Sequence, residues 1–426
     1  MQHRIVVLGA GYTGAIAAGR LAKRLHRDDV AITLVNAEPD FVERVRMHQL
    51  AAGQDLTPRP FSEMFAGTGV ELRLGKVTAV DADRKTVAVQ TATGTEELTY
   101  DTLVYALGSG WTDQGVPGVA EHAHEIAGRP GALRLRERLA RLDAGQPVVV
   151  VGGGLTGLEV ATEIADARPD LAVALTARGG LGDWLSAKGR RHLRKVFDEL
   201  GITVHEHTAV TAVGADHVTT ADGTPVPAAV TVWTTGFAAH PIARATTLKT
   251  TEGGRIVVDD TMRSISHPDV YAIGDAALAT GAGDKPLRMS CASGVPTAWQ
   301  AADAIAARLT GAKLPNVPLR YFNQCISLGR REGLIQYVTA DDRAVDATLT
   351  GRLAALYKEL ICKGAAWAVA NPTLALPTRR RHAAPQPPRT APAPKPPAAG
   401  DRRAAQATDG VLSRRIAGPD RRADVR

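Results

Sequence analysis

The sequence GAGYTG at residues 9–14 decides the fold of this chain, because it directly follows the apolar run 5–8 and precedes an alanine-rich segment. Such an order predicts a strand, a tight turn and a helix. A second copy, GGGLTG at residues 152–157, follows the valine run 148–151 in the same way. In these turns the first glycine permits the bend, the second lets the backbone approach a pyrophosphate, and the third lets helix and strand pack closely. The first and second fingerprints therefore predict two dinucleotide sites, built on Gly9, Gly11, Gly14, Gly152, Gly154 and Gly157.

Three later segments extend this pattern. Residues 267–275 form an apolar strand pattern that ends in Gly274-Asp275, and residues 100–109 and 232–237 are strand patterns that run into small-residue turns. With the fingerprints, these segments resemble the two-dinucleotide flavoprotein disulfide reductase superfamily. By that resemblance Asp275 accepts a hydrogen bond from the ribityl chain of FAD, and Gly274 lets the backbone pass close to the flavin. The two turns resemble the crossings between the FAD and NAD domains, where small residues keep side chains clear of the cofactors; here they are Ala106, Gly108 and Gly236.

Within that superfamily, residues 3–375 are most similar to the type II NADH:quinone oxidoreductases and the apoptosis-inducing-factor-like flavoproteins. The most specific segment is GGGLTGLEVATEI at residues 152–164. The resemblance implies an α/β fold with two Rossmann-like dinucleotide-binding domains, a small C-terminal segment and a tail. It implies FAD as the cofactor at the first fingerprint, and NADH or NADPH as the co-substrate at the second.

The same resemblance singles out residues for catalysis. Glu159 would orient the nicotinamide carboxamide or the flavin edge through a hydrogen bond; the alternative is a glutamate that the dipole favours at a helix N-terminus. Pro296 and Thr297 lie in a segment similar to the start of the family's flavin-facing helix. Because proline fits the first turn of a helix, the positive end of that helix would point at the flavin.

Residues at the ends of the second strand of each fingerprint unit predict how the two adenosine riboses are held. Asn36 stands where an acidic residue usually binds the ribose hydroxyls, Glu38 lies two residues on, and the sequence leaves both open. Arg178 takes the corresponding position after the second fingerprint, with no carboxylate beside it, and arginine can pair with a 2′-phosphate. NADPH is therefore as compatible as NADH. Arg46 and His48 fall where related enzymes bring side chains near the isoalloxazine ring, although a salt-bridged surface loop fits them too.

The three cysteines narrow the chemistry. Cys291, Cys325 and Cys362 form no Cys-x-x-Cys or similar pair, so the dithiol relay of glutathione, lipoamide and thioredoxin reductases is not expected. Electrons would leave the flavin directly for a quinone or a similar small acceptor. A ferredoxin reductase and a flavin redox sensor with vestigial turnover are the alternatives. This cysteine usage suits a reduced, cytoplasmic setting. No metal site is expected, and a homodimer is left open.

The expected domains follow the positions of the motifs. Residues 1–112 and 237–313 would form a discontinuous FAD-binding domain around an NAD(P)-binding domain at residues 113–236. Residues 314–375 are expected to form an interface segment, in which residues 349–370 make either a core-packed helix or an amphipathic helix on the inner face of a membrane. The tail, residues 376–426, is rich in proline, alanine and arginine and is expected to be disordered.

Positive charge is concentrated at the C-terminal end. Residues 379–426 contain twelve of the 51 lysines and arginines but only four of the 44 acidic residues, which leaves the other 378 residues nearly neutral. The pI of about 9.4 thus describes a tail, and no nucleic-acid partner is expected. Such a tail favours an anionic membrane surface or simply solubilises the chain. No apolar run reaches the length of a membrane span, and a strand pattern starts at once, without a signal peptide.

Overall fold

Two five-stranded parallel sheets form the centre of the fold in the computed structural model, which describes residues 1–314, 318–375 and 378–385. The first sheet carries the first fingerprint on its central strand. In spatial order its strands are Val270–Ala272, Thr102–Tyr105, His3–Leu8, Val30–Asn36 and Val70–Leu74. The residues of its apolar run, 5–8, are at most 3% exposed. A run without alternation suits a strand that is covered on both faces.

The second sheet repeats this arrangement around the second fingerprint. Its strands, in spatial order, are Thr203–His205, Ala172–Thr176, Pro147–Val151, Val230–Trp233 and Ala123–Glu125. All four strand pairs are parallel. The prediction of an α/β chain with two Rossmann-like sheets is therefore confirmed, and each fingerprint lies at the carboxyl end of a central strand.

The chain leaves the first sheet and returns to it through one two-stranded ribbon. Strands Ser109–Trp111 and Phe237–Ala239 pair antiparallel, with Ser109 opposite Ala239. These are the two crossings expected from the small-residue turns. The late strand Val270–Ala272 then joins the edge of the first sheet beside Thr102–Tyr105, so the Gly-Asp motif completes the unit that the first fingerprint begins.

Helices cover the parallel sheets. The first fingerprint helix, Tyr12–Arg24, packs along the long helix Cys291–Thr310, and Nε of Arg20 lies 2.7 Å from Oδ1 of Asp303. The other α-helices are Met47–Ala51, Phe61–Met64, Val119–His122, Arg129–Ala140, Leu155–Ala167, Ala187–Glu199 and Arg352–Ala370. Short 3-10 helices occur at Arg44–Arg46, Pro241–Ala245, Gly274–Ala276 and Ala282–Asp284.

Smaller sheets surround the two parallel ones. Three are three-stranded and antiparallel: Lys76–Asp81 with Thr86–Thr91 and Gly94–Thr99; Val210–Val213 with His217–Thr220 and Pro225–Pro227; Asn323–Ser327 with Gly333–Val338 and Ala344–Thr350. The strands Ile256–Val257 and Ala277–Leu278 form a parallel pair. The three-stranded sheet that begins with Asn323–Ser327 packs against the C-terminal helix, Arg352–Ala370.

One face of the C-terminal helix packs into the protein and another is exposed. Ala354, Cys362, Ala366 and Val369 are buried, whereas Leu353, Leu356, Leu360 and Trp367 are 47–68% exposed. The sequence did not decide between a core-packed helix and an amphipathic surface helix. The structure shows a helix with one buried face and one exposed apolar face. No helix in the described ranges has the length and apolar content needed to cross a membrane.

Residues 378–385 differ from what the composition of the tail suggested. They lie within the compact unit Met1–Ala384, except for Pro385, and Arg381 forms a parallel bridge with Leu25. Backbone hydrogen bonds and side-chain contacts hold this segment, and composition does not reveal such partners. Residues 376–377 and 386–426 lie outside the described residues, so the disorder expected of them stays a prediction, as do the domain limits.

Candidate dinucleotide sites

In the first fingerprint, protein atoms leave no room for a side chain at Gly9 and Gly14, whereas the space beside Gly11 is open. Gly9 has φ +87°, and an added Cβ would lie 2.5 Å from the carbonyl oxygen of Ala106. A Cβ on Gly14 would lie 1.8 Å from the carbonyl oxygen of Gly9. Gly11 caps the helix Tyr12–Arg24, and a Cβ there would meet no atom within 4 Å. The free space over a helix N-terminus is suited to a pyrophosphate, so this turn fits the dinucleotide expected of it.

The second fingerprint has the same geometry. Gly152 has φ +127°, and an added Cβ would lie 2.7 Å from Oγ1 of Thr234. A Cβ on Gly157 would lie 1.8 Å from the carbonyl oxygen of Gly152, whereas one on Gly154 would meet nothing within 4 Å. Gly154 caps the helix Leu155–Ala167. In both turns, therefore, no protein atom occupies the space beside the middle glycine.

Structure brings the Gly274-Asp275 motif to the first fingerprint. Gly274 has φ +63°, and an added Cβ would lie 2.8 Å from Cγ2 of Thr13, inside the fingerprint. The Oγ of Ser109, at the first crossing, donates to Oδ2 of Asp275 at 2.6 Å. The backbone N–H of Gly274 donates to Oγ1 of Thr297 at 3.1 Å. Four segments that are distant in sequence thus meet at one end of the first sheet.

The helix around Pro296 begins earlier than predicted. Its first residue is Cys291, so Pro296 lies in the helix interior and not in the first turn. Proline in the interior deprives the carbonyl of Ala292 of a donor, which a helix tolerates when its packing compensates. Here the packing against Tyr12–Arg24 supplies that compensation. The positive helix end lies at Cys291, and whether Pro296 and Thr297 contact a flavin stays a prediction.

Asn36 is committed to the fingerprint turn. Its Oδ1 accepts a hydrogen bond of 2.9 Å from the backbone N–H of Ala10, and its Nδ2 donates to the carbonyl of Glu38 at 2.8 Å. Glu38 is exposed, and contact of either residue with the ribose hydroxyls stays a prediction. Arg178 is exposed two residues beyond the strand Ala172–Thr176, at the end where the sequence put it.

The remaining small residues take the positions expected of the crossings. Gly108 has φ +71°, and its nearest side chain would be Arg44, with Nη1 3.6 Å from an added Cβ. Gly236 has φ +76°, and a Cβ there would lie 2.7 Å from the carbonyl oxygen of Thr112. Ala106 is buried beneath the first fingerprint. Their contact with cofactors stays a prediction.

Glu159 belongs to a buried group of charges that the sequence did not indicate. Its Oε1 lies 2.9 Å from Nζ of Lys358, on the C-terminal helix, and accepts a hydrogen bond of 3.1 Å from the backbone N–H of Ser327. Nδ1 of His48 lies 3.9 Å from Oε2 of Glu159. Lys358 also donates to the carbonyl of Cys325 at 3.1 Å. Glu159, Lys358 and His48 are called the buried triad below.

Charge states in the buried triad follow from burial and proximity. Burial alone would raise the pKa of Glu159, but the positive charge of Lys358 and its hydrogen bond bring that pKa below the ordinary value. Burial opposes the charge on Lys358, yet Glu159 holds the pKa of its ammonium above the ordinary value. Burial lowers the pKa of His48, which is neutral at pH 7 and whose Nε2 has no hydrogen-bond partner. The triad therefore holds one ion pair beside a neutral imidazole.

Arg46 also reaches the C-terminal helix. Its guanidinium lies 3.0 Å from Oε2 of Glu43 and 2.8 Å from Oε2 of Glu359. Both carboxylates are therefore paired with it, which fits the salt-bridged alternative, and contact with a flavin stays a prediction. All three cysteines are free thiols, and burial raises the pKa of Cys325 and Cys362 to about 11.

Sequence reasoning missed Lys358 and Thr13 as parts of these sites. Lys358 was visible only as one cation among the apolar residues of a helix, and its partner lies on a helix about 200 positions earlier. Thr13 occupies a variable position of the glycine pattern, where no side chain is specified. Neither residue carries a local signal, because each is defined by what the tertiary fold brings to it.

Known structures share this fold. NDH2 of Plasmodium falciparum, solved in complex with NADH, has a TM-score of 0.73 and 15% identity, and the match covers 89% of this chain and 99% of that one. The sulfide:quinone oxidoreductase of Aquifex aeolicus has a TM-score of 0.71 and 20% identity, and the match covers 90% of this chain and 98% of that one.

Sequence comparison assigns the family. Residues 3–306 match the pyridine nucleotide-disulphide oxidoreductase family, and the chain belongs to it. An NADH dehydrogenase-like protein of Mycobacterium tuberculosis is 32% identical over 319 residues, which cover 69% of this chain and 77% of that protein. A demethylphylloquinone reductase of Synechocystis is 26% identical over 376 residues, with 84% and 92% coverage. The protein is an oxidoreductase, and its relatives are named NADH dehydrogenases and quinone reductases.

Proposed function

We propose that this protein is an FAD-dependent NAD(P)H oxidoreductase that passes electrons to a quinone. The observation that carries the proposal is the pair of fingerprints on separate parallel sheets, the first of which meets Gly274-Asp275. Two sites of this kind suit one resident and one exchanging dinucleotide. The relatives named for NADH and for quinones support the same donor and acceptor.

The first fingerprint would hold FAD. The open space over Gly11 would receive the pyrophosphate, Glu38 would reach the adenosine ribose, and Asp275, fixed by Ser109, would accept from the ribityl chain. When bound, FAD supplies the chemistry that accepts a hydride and releases two electrons. The protein contributes position, because aligned reactants lose little freedom when they react.

Gly154 would leave room for the pyrophosphate of NAD(P)H at the second fingerprint. Arg178 would select the phosphate of NADPH, because its cation stands where NAD-binding proteins place a carboxylate. Residues 177–179 contain no carboxylate, although Oδ2 of Asp183 accepts a hydrogen bond of 3.1 Å from the backbone N–H of Gly180. We therefore expect both nucleotides to be oxidised, with the preference decided by Arg178.

The buried triad would set the charge beside the nicotinamide. Nζ of Lys358 lies 2.9 Å from the carboxylate of Glu159, and each charge keeps the other group ionised. Glu159 lies on the second fingerprint helix, five residues beyond Gly154, so the ion pair is near the second fingerprint. His48 stays neutral, because burial lowers the pKa of its imidazole. In this proposal Glu159 keeps its predicted role near the nicotinamide, with Lys358 as its partner.

The exposed stripe on the C-terminal helix would bring the enzyme to a quinone-bearing membrane. Leu353, Leu356, Leu360 and Trp367 recur at the spacing of one helix face. Such a face, followed by a basic tail, suits peripheral attachment to an anionic surface. This attachment is separate from the chemistry, so either can fail without the other.

Flavin spectroscopy tests the proposal directly. The purified full-length chain should show a flavin absorption spectrum that bleaches when NADH or NADPH is added without oxygen, and menadione should restore it. Steady-state oxidation of the nucleotide with menadione should then exceed the rate with a ferredoxin. A folded protein that neither contains nor takes up FAD would refute the assignment, and bleaching without reoxidation by menadione would favour a redox sensor.

A further inference from the structure

Residues 378–385 are aligned with the turn that follows the first fingerprint helix. The backbone N–H of His26 donates to the carbonyl of Arg381 at 3.0 Å, and the N–H of Arg381 donates to the carbonyl of Arg24 at 2.9 Å. This pairing puts the imidazoles of His26 and His382 side by side. Their ring centroids are 3.9 Å apart, with an angle of 27° between the ring planes.

Asp29 faces the same two imidazoles. Its Oδ2 lies 2.8 Å from Nδ1 of His382 and accepts a hydrogen bond of 3.0 Å from the backbone N–H of Ala383. One ligand atom from each of His26, Asp29 and His382 lies within 4.8 Å of the others. These contacts join positions near the two ends of the compact unit, and neither the fingerprints nor the buried triad uses them.

We propose that His26, Asp29 and His382 form a binding site for a divalent transition-metal ion of the Zn²⁺ type. Two imidazole nitrogens and one carboxylate oxygen are a common set of three protein ligands for Zn²⁺, at about 2.0–2.2 Å from the ion, with a water as the fourth ligand. Ligand atoms on such an ion are about 3.3 Å apart, as tetrahedral geometry requires. The rings of His26 and His382 are stacked, so one imidazole must rotate before both nitrogens can face one ion, and His382 is exposed and has the room to do so.

The chemistry of the group favours this class of ion over Mg²⁺ or Ca²⁺. Those ions prefer several oxygen ligands, whereas Asp29 is the only carboxylate in the group of three. Nδ1 of His26 lies 3.4 Å from Oδ2 of Asp28 and also 3.4 Å from the backbone N of Asp28. In the tautomer in which Nδ1 donates to the carboxylate, this is the usual second-shell arrangement of a metal-binding histidine. His26 would bind through Nε2 in that tautomer.

A bound ion would fasten residues 378–385 to the first sheet. The three ligands come from the turn after Tyr12–Arg24 and from the chain beyond the C-terminal helix. Since a metal that binds the folded state stabilises it, occupancy would reduce local opening of the segment. Arg379, Arg380 and Arg381 lie within this segment, so a protease that cleaves after arginine would report its opening.

Metal titration of the EDTA-treated full-length chain tests the site. Co²⁺ should give the visible absorption of a tetrahedral complex with a stoichiometry of one, and Zn²⁺ should displace it. Each of His26→Ala and His382→Gln should weaken binding at least about tenfold, since each removes one of three ligands. Asp28→Asn should weaken it less. His217→Ala is the matched control, because His217 is a partly exposed imidazole 2.8 Å from Asp216 but belongs to no group of three among the residues that the structure describes.

Proteolysis gives a second readout that does not depend on metal spectra. Zn²⁺ should slow tryptic cleavage after residues 379–381 in the wild type and in His217→Ala, but not in His382→Gln. Equal Co²⁺ affinity in the wild type and in a His26→Ala/His382→Gln variant would overturn the proposal. Equal weakening by His217→Ala, or Zn²⁺ protection that persists in His382→Gln, would overturn it as well.

Discussion

The ammonium of Lys358 lies 2.9 Å from the carboxylate of Glu159 and joins the C-terminal helix to the helix of the second fingerprint. The side chains of Glu159 and Lys358 are 12% and 17% exposed, so water does little to solvate either charge. A buried ion pair adds little net stability by itself. Removing one partner, however, leaves the other charge buried and unpaired, which strongly destabilises the fold. The C-terminal helix is thereby tied to the nucleotide site by a charge as well as by packing.

Lys358→Met should strongly destabilise the protein, because it leaves Glu159 buried without its cation. We expect the free energy of unfolding to fall by about 3–5 kcal/mol, measured by urea denaturation. The double variant Glu159→Gln/Lys358→Met should lose clearly less, since it leaves no buried charge. Lys363→Met, on an exposed part of the same helix, should change the free energy by less than about 0.5 kcal/mol. Additive losses in the double variant would show that the two charges do not depend on each other.

Gly11→Val should fold and lose flavin. An added Cβ at Gly11 meets no protein atom within 4 Å, so a side chain there would enter the space assigned to the pyrophosphate. The matched variant Gly14→Val should fail to fold, because its Cβ would lie 1.8 Å from the carbonyl of Gly9. Circular dichroism and flavin absorbance of the purified proteins distinguish the two effects. A yellow Gly11→Val protein would place the FAD elsewhere.

Glu163 should make stability depend on pH in the neutral range. Burial raises the pKa of Glu163 to about 7 from an ordinary 4.5, although Arg330 opposes this shift. The folded state therefore binds this proton more tightly than the unfolded chain does. The resulting stability is fully present below about pH 4.5 and is lost as the pH rises through about 7.

Glu163→Gln should remove this dependence. At about pH 8 the variant should be more stable than the wild type, by at most about 3 kcal/mol, and the difference should vanish near pH 4.5. Thermal unfolding across this range measures it. Glu199→Gln, an exposed glutamate on a neighbouring helix, serves as the control and should follow the wild type. A variant less stable than the wild type at about pH 8 would contradict the raised pKa.

Arg178→Ala should separate the two nucleotides. If Arg178 pairs with a 2′-phosphate, its removal should raise the KM for NADPH about tenfold or more, which corresponds to a charge-assisted hydrogen bond. The KM for NADH should change little, because NADH has no 2′-phosphate and Arg178 is exposed. Equal changes in both constants would show that this arginine reads no phosphate.

Membrane attachment should depend on the exposed stripe and on the basic tail, but turnover should not. A chain that ends at Pro385 keeps the segment that contacts the first sheet and lacks residues 386–426. We expect it to retain flavin and menadione reduction, and to bind anionic liposomes with a smaller salt dependence, since screening acts on exposed charge. Leu356→Glu/Leu360→Glu should reduce the binding that remains. If the full-length protein does not bind anionic liposomes at low salt, a soluble acceptor is the better assignment.

The sequence predicted the parts of this fold that local patterns encode. Unbroken apolar runs before glycine turns identified the two central strands, and the resemblance of residues 100–109 and 232–237 to the crossings of a known superfamily predicted where the ribbon lies. The prediction that Pro296 lies in the first turn of its helix was wrong, because a helix tolerates proline in its interior once packing compensates for the missing donor. Lys358 and residues 378–385 could not be recognised locally, since an ion pair and a backbone bridge are properties of two distant segments.

The ribbon formed by Ser109–Trp111 and Phe237–Ala239 places the entry and exit of the inserted sheet next to each other. Opposed residues on such a ribbon lie only about 5 Å apart at their Cα atoms. The inserted sheet therefore leaves and rejoins the remainder of the chain at one place, and the sheet of a relative spliced in at Gly110 and Ala238 would need no lengthening of either end. Such a chimaera would also have to match Lys358, because the partner of that buried cation, Glu159, lies within the exchanged stretch.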